Sequence, residues 1–380
     1  MGTFASKHNF QKIYIKMKLL ITTQTVDIND PILAFFVGWI KEFSKHFEHI
    51  HVICLNEGEH ELPENVTIHS LGKEEYLRKR CDLKEEQGDG KRSFLKEQIQ
   101  KFKYTWRFYK YFWKLYMNGH VDYVFFHMGA IYNVLAAPFF LIRKIKKTKF
   151  YWWKAHGHIN QFGRFALNFV DRVYTSTESG FPIDTYKRRV VGQATDTTAY
   201  NLPSDSSIRS KEVIYVGRIS SIKRIEDFID TASILHKKDA QITFTIIGPL
   251  DDEEYVRKMQ NKVNNLELQN IITFAGHKNQ KELAAIRQKA SVFLNTSVTH
   301  SMDKTVLSAA LCGCLPVTSN NAFIGLLQPY ELYIKDATAQ QYADRILLLL
   351  QQDTLQLRKK LHDDVVRLHS LDTFSDRIFE

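Results

Sequence analysis

Cysteine and proline are scarce in this chain, which has four cysteines and eight prolines among 380 residues. The cysteines lack the paired spacing of a zinc site, and the closest two are too near each other for a redox motif. We interpret the four as free thiols in a reducing compartment, mostly buried: Cys54, Cys81, Cys312 and Cys314. The sequence therefore predicts no disulfide framework and no metal site.

Long uninterrupted apolar runs are also missing. Residues 1–16 have no apolar core of the kind that a signal peptide carries, and we interpret them as an extension ahead of Met17. Residues 123–142 are mostly apolar, but they include four residues that fit a bilayer-spanning helix poorly: His127, Gly129, Asn133 and Pro138. The segment predicts a strand followed by a buried helix rather than a membrane span.

The excess of positive charge is confined to one half of the chain. The net charge is +10, and the hydrophobic and aromatic fractions of 44% and 13% suffice for two globular cores. Residues 1–200 hold 30 basic and 20 acidic side chains, whereas residues 201–380 hold 22 of each. The excess indicates a task specific to the first half, such as contact with an acidic surface.

Residues 91–117 read as a long helix with two unusual stripes. Lys103, Arg107, Lys110 and Lys114 fall on one face. An aromatic stripe lies beside it, made of Phe102, Trp106, Tyr109, Trp113 and Tyr116. Cations flanked by interfacial aromatics are typical of a helix on an anionic membrane surface. Two alternatives remain open: an ordinary amphipathic helix with its aromatics turned inward, and a nucleic-acid-binding helix, which the neutral second half disfavours.

The first half alternates apolar strands with helical segments, which predicts a doubly wound parallel sheet. The turn after its first strand, TVDINDP, contains no glycine. We expect Asp27, Asn29 and Asp30 to touch an acceptor or to gate the cleft there, and Asp30 also to cap the following helix. The aromatic strand FYWW ends in KAHGH, where His156 and His158 would face a cleft at the carboxyl edge of the sheet.

The second half contains the stretch VIYVGRISSIK, in which a buried strand ends at Gly217 and is followed by Arg218 and Lys223. A strand, a glycine turn and a helix form a typical anion site in α/β sheets. Arginine and lysine add fixed positive charge, so we expect a diphosphate as the ligand. Further strands end at Gly248, Gly276 and Ser297, at the same predicted edge.

Four segments in order carry a resemblance: VGRISSIKRIEDFIDTASIL, FTIIG, ITFAGHKNQKELAAIRQKASVFLNTS and DKTVLSAALCGCLPVTSN. Together they resemble the donor-binding half of a retaining glycosyltransferase of family 4 with the GT-B fold. The resemblance implies an α/β protein with two Rossmann-like domains facing a cleft. Residues 1–200 would bind the acceptor, residues 201–362 would bind a nucleotide sugar, and residues 363–380 would cross back to the first domain.

The resemblance also implies an activity. A sugar would pass with retention from a nucleotide diphosphate such as UDP to a glycan or lipid-linked acceptor, in polysaccharide or glycolipid synthesis. Arg218 and Lys223 would stabilise the leaving diphosphate without a metal or other cofactor, and His156 would contact the transferred sugar. The implied donor-binding residues are Gly217, Arg218, Lys223, Gly248, Gly276, His277, His300, Asp303, Lys304, Thr305 and Ser308. The enzyme would be cytoplasmic, or peripheral on the inner face of the plasma membrane.

The chain departs from the resembled pattern at two positions. Family members typically carry two glutamates with seven residues between them, where this chain has His300 and Ser308. Serine cannot make the charge-assisted, bidentate contact that glutamate makes with ribose hydroxyls. We therefore expect weak donor binding, held mainly by Arg218, Lys223 and the amides around Lys304. The alternatives are a nucleotide-sugar epimerase or hydrolase, and an inactive GT-B protein that binds a nucleotide or glycan.

Overall fold

A computed structural model describes residues 17–30, 32–82, 90–203, 209–250, 252–352 and 354–379. The interpretation of residues 1–16 as an extension falls outside these ranges, and so does the side chain of Cys81. Contacts divide the chain into two compact units. The first unit contains residues 1–154 and 160–174, and the second contains residues 155–159 and 175–380.

The first unit is built on a parallel sheet, as the alternation of strands and helices predicts. Its strands are β1 (Lys18–Val26), β2 (His49–Glu57), β3 (Val66–Ser70), β4 (Tyr123–His127), β5 (Lys149–Trp153) and β6 (Arg172–Thr175). They run in the order β3-β2-β1-β4-β5-β6, and every neighbouring pair is parallel. The helices are α1 (Ala34–Phe43), α2 (Lys73–Asp82), α3 (Gly90–Met117), α4 (Ala130–Leu135), α5 (Ala137–Leu141), α6 (Arg143–Lys146) and α7 (Gln161–Ala166).

The apolar segment 123–142 forms a strand and short helices, as predicted. All five residues of β4 are buried, and α4 and α5 follow it. Among the described residues, no helix has both the length and the apolar content needed to cross a bilayer.

The second unit contains a smaller parallel sheet. The strands formed by residues of this unit are β7 (Arg188–Val190), β8 (Ser210–Val216), β9 (Thr243–Ile247), β10 (Ile272–Gly276), β11 (Ala290–Asn295) and β12 (Leu315–Thr318). Five of them form a sheet in the order β10-β9-β8-β11-β12, all parallel. The helices are α8 (Ile225–Lys238), α9 (Glu253–Asn265), α10 (Gln280–Lys289), α11 (Lys304–Leu311), α12 (Ile324–Leu327), α13 (Ala339–Gln351), α14 (Leu355–His369) and α15 (Phe374–Phe379).

Local sequence explains where these helices begin and which face they bury. Helix α8 buries Ile225, Phe228, Ile229, Ala232 and Leu235, the face that the 3.6-residue period predicts. Helix α10 begins at a capping box, in which Asn279 accepts from the Glu282 amide and Glu282 accepts from the Asn279 amide. Because all five strands of the smaller sheet are parallel, the loops after them gather at one edge, and these loops contain the predicted donor site.

The C-terminal segment packs on residues 191–195. The Thr195 amide donates to the His369 carbonyl at 2.8 Å, and Arg377 donates to the Val191 carbonyl at 2.5 Å. The sequence places residues 191–195 in the first predicted domain, whereas contacts assign them to the second unit. The domain boundary near residue 200 stays a prediction.

Three of the cysteines are buried free thiols, as predicted: Cys54, Cys312 and Cys314. Burial raises the pKa of the Cys312 thiol to about 11 and that of Cys314 to about 12. These thiols are therefore protonated at neutral pH and act as small apolar side chains.

Candidate functional site

Three glycines lie side by side at the carboxyl edge of the smaller sheet. The Gly217 amide donates to the Ile247 carbonyl at 2.9 Å, and the Gly248 amide donates to the Gly276 carbonyl at 2.9 Å. A Cβ atom on Gly248 would lie 1.8 Å from the Gly217 carbonyl oxygen, so only glycine allows the two turns to pack this closely. The three predicted strand ends therefore lie next to one another, and their main chain forms one side of the candidate site.

Arg218 follows the first of these turns. Its carbonyl accepts a hydrogen bond from the buried Tyr215 hydroxyl at 3.0 Å, which fixes the backbone of the turn. Its guanidinium is exposed at this edge of the sheet. The arginine is therefore anchored through its main chain and presents its charge outward.

Lys223 is held by two side chains from other loops. Its ammonium lies 2.9 Å from Asp303 Oδ2 and 3.2 Å from Ser297 Oγ, and the side chains of Lys223 and Asp303 are only 14% and 17% exposed. The Lys223 carbonyl in turn accepts from Thr296 Oγ1 at 2.7 Å. An ammonium has three protons, so two fixed partners leave one direction for a ligand.

Helix α11 begins beside this ammonium. Asp303 precedes its first residue, and Asn295 Nδ2 lies 3.4 Å from Asp303 Oδ2. Lys304 is half-buried, and desolvation holds the pKa of its amine well below the usual range. Thr305, on the first turn of α11, is also half-buried, whereas Ser308, on the second turn, is buried. A helix N-terminus with the Lys223 ammonium beside it favours an anion.

His300 lies in the left-handed region, with φ of +53°. Its carbonyl accepts from Ser179 Oγ at 3.1 Å. A Cβ atom on Gly157 would lie 3.0 Å from the Ser179 carbonyl oxygen and 3.5 Å from His300 Cβ. The KAHGH loop therefore packs on the loop of His300, and the exposed His156 and His158 flank this contact. A non-glycine residue with positive φ is a local strain that active sites often hold.

A buried polar network supports the loop between β11 and α11. Thr318 Oγ1 donates to Asn295 Oδ1 at 2.9 Å, and Asn320 Nδ2 donates to the Ser301 carbonyl at 3.0 Å. Sequence reasoning did not assign these residues to the site. Asn295 gave a signal, because it ends an apolar run and a buried amide needs partners. Ser179 gave none.

The remaining donor-side residue, His277, follows Gly276 at the open end of β10 and is exposed. Gly276 itself has φ of +65°, and no atom lies within 4 Å of a Cβ built on it. This end of the site therefore has space for a ligand next to backbone groups that could bind it. Among the described residues, no group of three or more histidine, cysteine, aspartate or glutamate side chains could hold a metal ion.

The acidic turn after β1 forms internal hydrogen bonds. Asp30 Oδ1 accepts from the amides of Ile32 and Leu33 at 2.9 and 2.7 Å, in the turn ahead of α1, whose N-cap residue is Leu33 rather than the predicted Asp30. Asp27 Oδ1 accepts from the Asn29 amide at 2.9 Å. These carboxylates shape the turn, and their contact with an acceptor stays a prediction.

The predicted cationic stripe of α3 is not uniform. Lys103, Lys110 and Lys114 are exposed. Arg107 instead donates to the Leu71 carbonyl at 2.9 Å and pairs with Glu75 at 3.1 Å. The arginine is therefore engaged within the first unit, and the three lysines remain as the exposed charges.

Known proteins share both the sequence pattern of the second unit and the fold. Residues 203–364 match the family described as "Glycosyl transferases group 1". No curated protein is detectably similar in sequence to the chain. Among solved structures, HepE from Anabaena in complex with UDP superimposes with a TM-score of 0.71 at 14% identity, over 96% of this chain and 98% of that one.

Two further structures are similar over nearly the full length. TarM from S. aureus, in complex with Fondaparinux, α-GlcNAc-glycerol and UDP, gives a TM-score of 0.65 at 12% identity, covering 95% of this chain and 98% of that one. Sucrose-phosphate synthase from Thermosynechococcus elongatus gives 0.66 at 13% identity, covering 96% and 98%. At such identities the likeness shows the fold alone, which is the predicted pair of parallel-sheet α/β domains.

Proposed function

We propose that the chain is a glycosyltransferase, because residues 203–364 match the glycosyl transferases group 1 family and the chain has the GT-B fold. The donor is a uridine diphosphate sugar, and the acceptor is a glycan or a lipid-linked glycan. HepE was solved with UDP and with UDP-glucose, and TarM with UDP and glycan ligands, which supports both classes.

The observation that carries the proposal is the position of Lys223. Its ammonium is fixed by Asp303 and Ser297 at the N-terminus of α11, and the exposed Arg218 precedes it by five residues in the same loop. Cleavage of a sugar–diphosphate bond develops negative charge on the leaving oxygen. Cations that are already oriented stabilise this charge without reorganising during the reaction. Lys223 and Arg218 supply this stabilisation from the protein itself.

We further propose transfer with retention. The bond between the anomeric carbon and the diphosphate oxygen breaks, and the acceptor oxygen bonds to the same face of that carbon. The acceptor's proton passes to the departing phosphate oxygen, so the protein needs no separate base. His156, with His158 beside it, contacts the transferred sugar from the KAHGH loop, which packs on His300.

The pathway class follows from these substrates. A uridine diphosphate sugar and a lipid-linked acceptor meet at the cytoplasmic face of a membrane, during synthesis of a polysaccharide or a glycolipid. The exposed lysines of α3 support a peripheral position there.

A second candidate function is nucleotide-sugar binding with hydrolysis or without turnover. The observation that favours it is the absence of an acidic side chain at both His300 and Ser308, where the resembled family carries glutamates. The ribose then loses a charge-assisted partner, which weakens donor binding about ten- to a hundredfold.

One assay separates these functions. Purified protein is incubated with UDP-glucose, UDP-galactose and UDP-N-acetylglucosamine, with and without a detergent extract of lipid-linked glycans, and UDP release is followed. Release that requires the extract, with an α-linked product by NMR, supports retaining transfer. Release without the extract indicates a hydrolase, and binding without release indicates a binding protein. Lys223→Ala should abolish release in the first two cases.

A further inference from the structure

Helix α3 has a second apolar face that the first unit leaves exposed. Phe108, Phe112 and Leu115 pack into the core. On the other side, four large side chains remain 49–70% exposed, and we call them the outer stripe: Ile99, Phe102, Trp106 and Trp113. At 3.6 residues per turn they fall within an arc of roughly 60° and span about 21 Å along the axis. An apolar stripe of this length on a protein surface usually marks an interaction site.

The charge beside the outer stripe has one sign. Lys103, Lys110 and Lys114 are exposed and flank it on one side. Residues 98–117 contain no aspartate or glutamate, although they contain five lysines and arginines. The face therefore complements a negatively charged partner.

Helices α5 and α6 extend the apolar surface next to α3. Leu141 and Ile145 are 76% and 83% exposed and lie four residues apart. The two helices lie beside the end of α3, because the Phe139 ring is 6.2 Å from the Trp113 ring and Lys146 Nζ donates to the Met117 carbonyl at 2.8 Å. The exposed Lys144 and Lys147 add charge there.

We propose that the outer stripe, with its three lysines and with Leu141 and Ile145, docks the first unit on an anionic lipid bilayer. Indole and phenyl rings insert at the headgroup level while lysines reach the lipid phosphates. A second copy of the chain fits less well, since a two-fold interface would place the lysine-rich faces against each other. This proposal rests on the proposed function and adds to it, because it places the enzyme at the surface that holds a lipid-linked acceptor.

The charge component is tested by co-sedimentation with vesicles of phosphatidylcholine and phosphatidylglycerol at 3:1, and of phosphatidylcholine alone. The variant is Lys103→Gln/Lys110→Gln/Lys114→Gln. The matched control, Lys237→Gln/Lys281→Gln/Lys289→Gln, removes the same charge from exposed positions of the second unit. Each lysine near an anionic surface contributes about fivefold in affinity, so the variant should lose about 100-fold. The control should bind like the parent, and 0.5 M salt should weaken both.

The apolar component is tested with Phe102→Ser/Trp106→Ser and with Leu141→Ser/Ile145→Ser, after thermal melts confirm folding. Each should lose at least tenfold in vesicle affinity. Equal losses in the lysine variant and its control would overturn the proposal. The proposal would also be overturned if the parent does not bind vesicles but forms a dimer in sedimentation velocity, and if Phe102→Ser/Trp106→Ser dissociates that dimer. UDP binding measured without vesicles tests the proposed function separately, because Lys223 belongs to the second unit, whereas the substituted positions of α3, α5 and α6 belong to the first.

Discussion

The ammonium of Lys223 lies 2.9 Å from the carboxylate of Asp303, although the two residues are 80 positions apart in the sequence. Lys223 belongs to the loop after β8, and Asp303 precedes α11. Both side chains are mostly buried, so solvent screens this pair less than an exposed one. Asp303 and Ser297 together orient the ammonium, and Asp303 is therefore a positioning residue for the cation that we propose contacts the diphosphate.

Replacing Asp303 by asparagine should show whether the charge of Asp303, and not only its size, holds Lys223 in place. Asp303→Asn keeps the size of the side chain but removes the charge that holds Lys223. We expect kcat to fall at least about tenfold, because a hydrogen bond between charged groups contributes about 1.5–3 kcal/mol. Steady-state kinetics with the donor varied measure the effect, and Asp303→Glu should restore part of it. The control is Asp344→Asn, which breaks an exposed pair with Lys238, and an equal loss there would refute the role.

Restoring an acidic residue in α11 tests the account of weak donor binding. Ser308→Glu should tighten nucleotide-sugar binding and raise turnover, because glutamate can accept bonds from both ribose hydroxyls. Calorimetry and initial rates report the two effects. Ser308 is buried, so a thermal melt must first show that the longer side chain is accommodated. A folded variant that loses an activity of the parent would show that Ser308 has a specialised role.

Gly248 should tolerate no side chain. The Cβ of Gly248→Ala would meet the Gly217 carbonyl oxygen at 1.8 Å, and a main-chain atom cannot move aside without shifting the turn before Arg218. We expect a loss of roughly 2 kcal/mol or more in the free energy of unfolding. Urea denaturation measures it, with Gly325→Ala as the control. Gly325 lies in α12, and no atom lies within 4 Å of the position its Cβ would take, so alanine there should be neutral or stabilise by about 0.4–1 kcal/mol.

Stability should fall in mild acid because of His369. Burial, and then the nearby Arg377 charge, lower the pKa of this histidine to about 4, and its Nδ1 accepts from the Gln193 amide at 3.0 Å. The unfolded histidine titrates near 6.5, so between these values the unfolded state binds more protons. The contribution is complete above about pH 6.5 and is lost as the pH falls towards 4, by up to about 3 kcal/mol. Urea denaturation at pH 7 and pH 5 should show a smaller decrease for His369→Gln than for the parent.

The sequence predicted a structural feature wherever a short segment alone determines that feature. The strands and helices of both units follow from the alternation of apolar segments. The glycines after β8 and β9 and at the end of β10 mark turns, and at Gly248 the close packing on Gly217 allows only glycine. Lys223 was identified for the same reason, since its turn lies between a strand and a helix.

Partners that are distant in the sequence could not be read from it. The contacts of Lys223 with Ser297 and Asp303, and of Gly157 with Ser179 and His300, depend on how separate loops meet. Arg107 shows the same limit on α3. Its spacing groups it with the exposed lysines, but Glu75, on another helix, pairs with it.

Rotation of a helix about its axis is also set by packing. The sequence placed Tyr109 and Tyr116 in one aromatic stripe with Trp106, whereas Tyr116 is buried and Tyr109 is half-buried. Both flanks of α3 are apolar, so periodicity alone does not determine which one faces the core.

Calorimetric titration of UDP tests the central claim most directly. The parent should bind UDP, whereas Arg218→Ala and Lys223→Ala should each bind about tenfold or more weakly, since each loses a charge-assisted contact with the diphosphate. Lys237→Ala, which removes an exposed lysine of the same unit, should bind like the parent. Unchanged UDP affinity in both Arg218→Ala and Lys223→Ala would contradict the assignment of the diphosphate site.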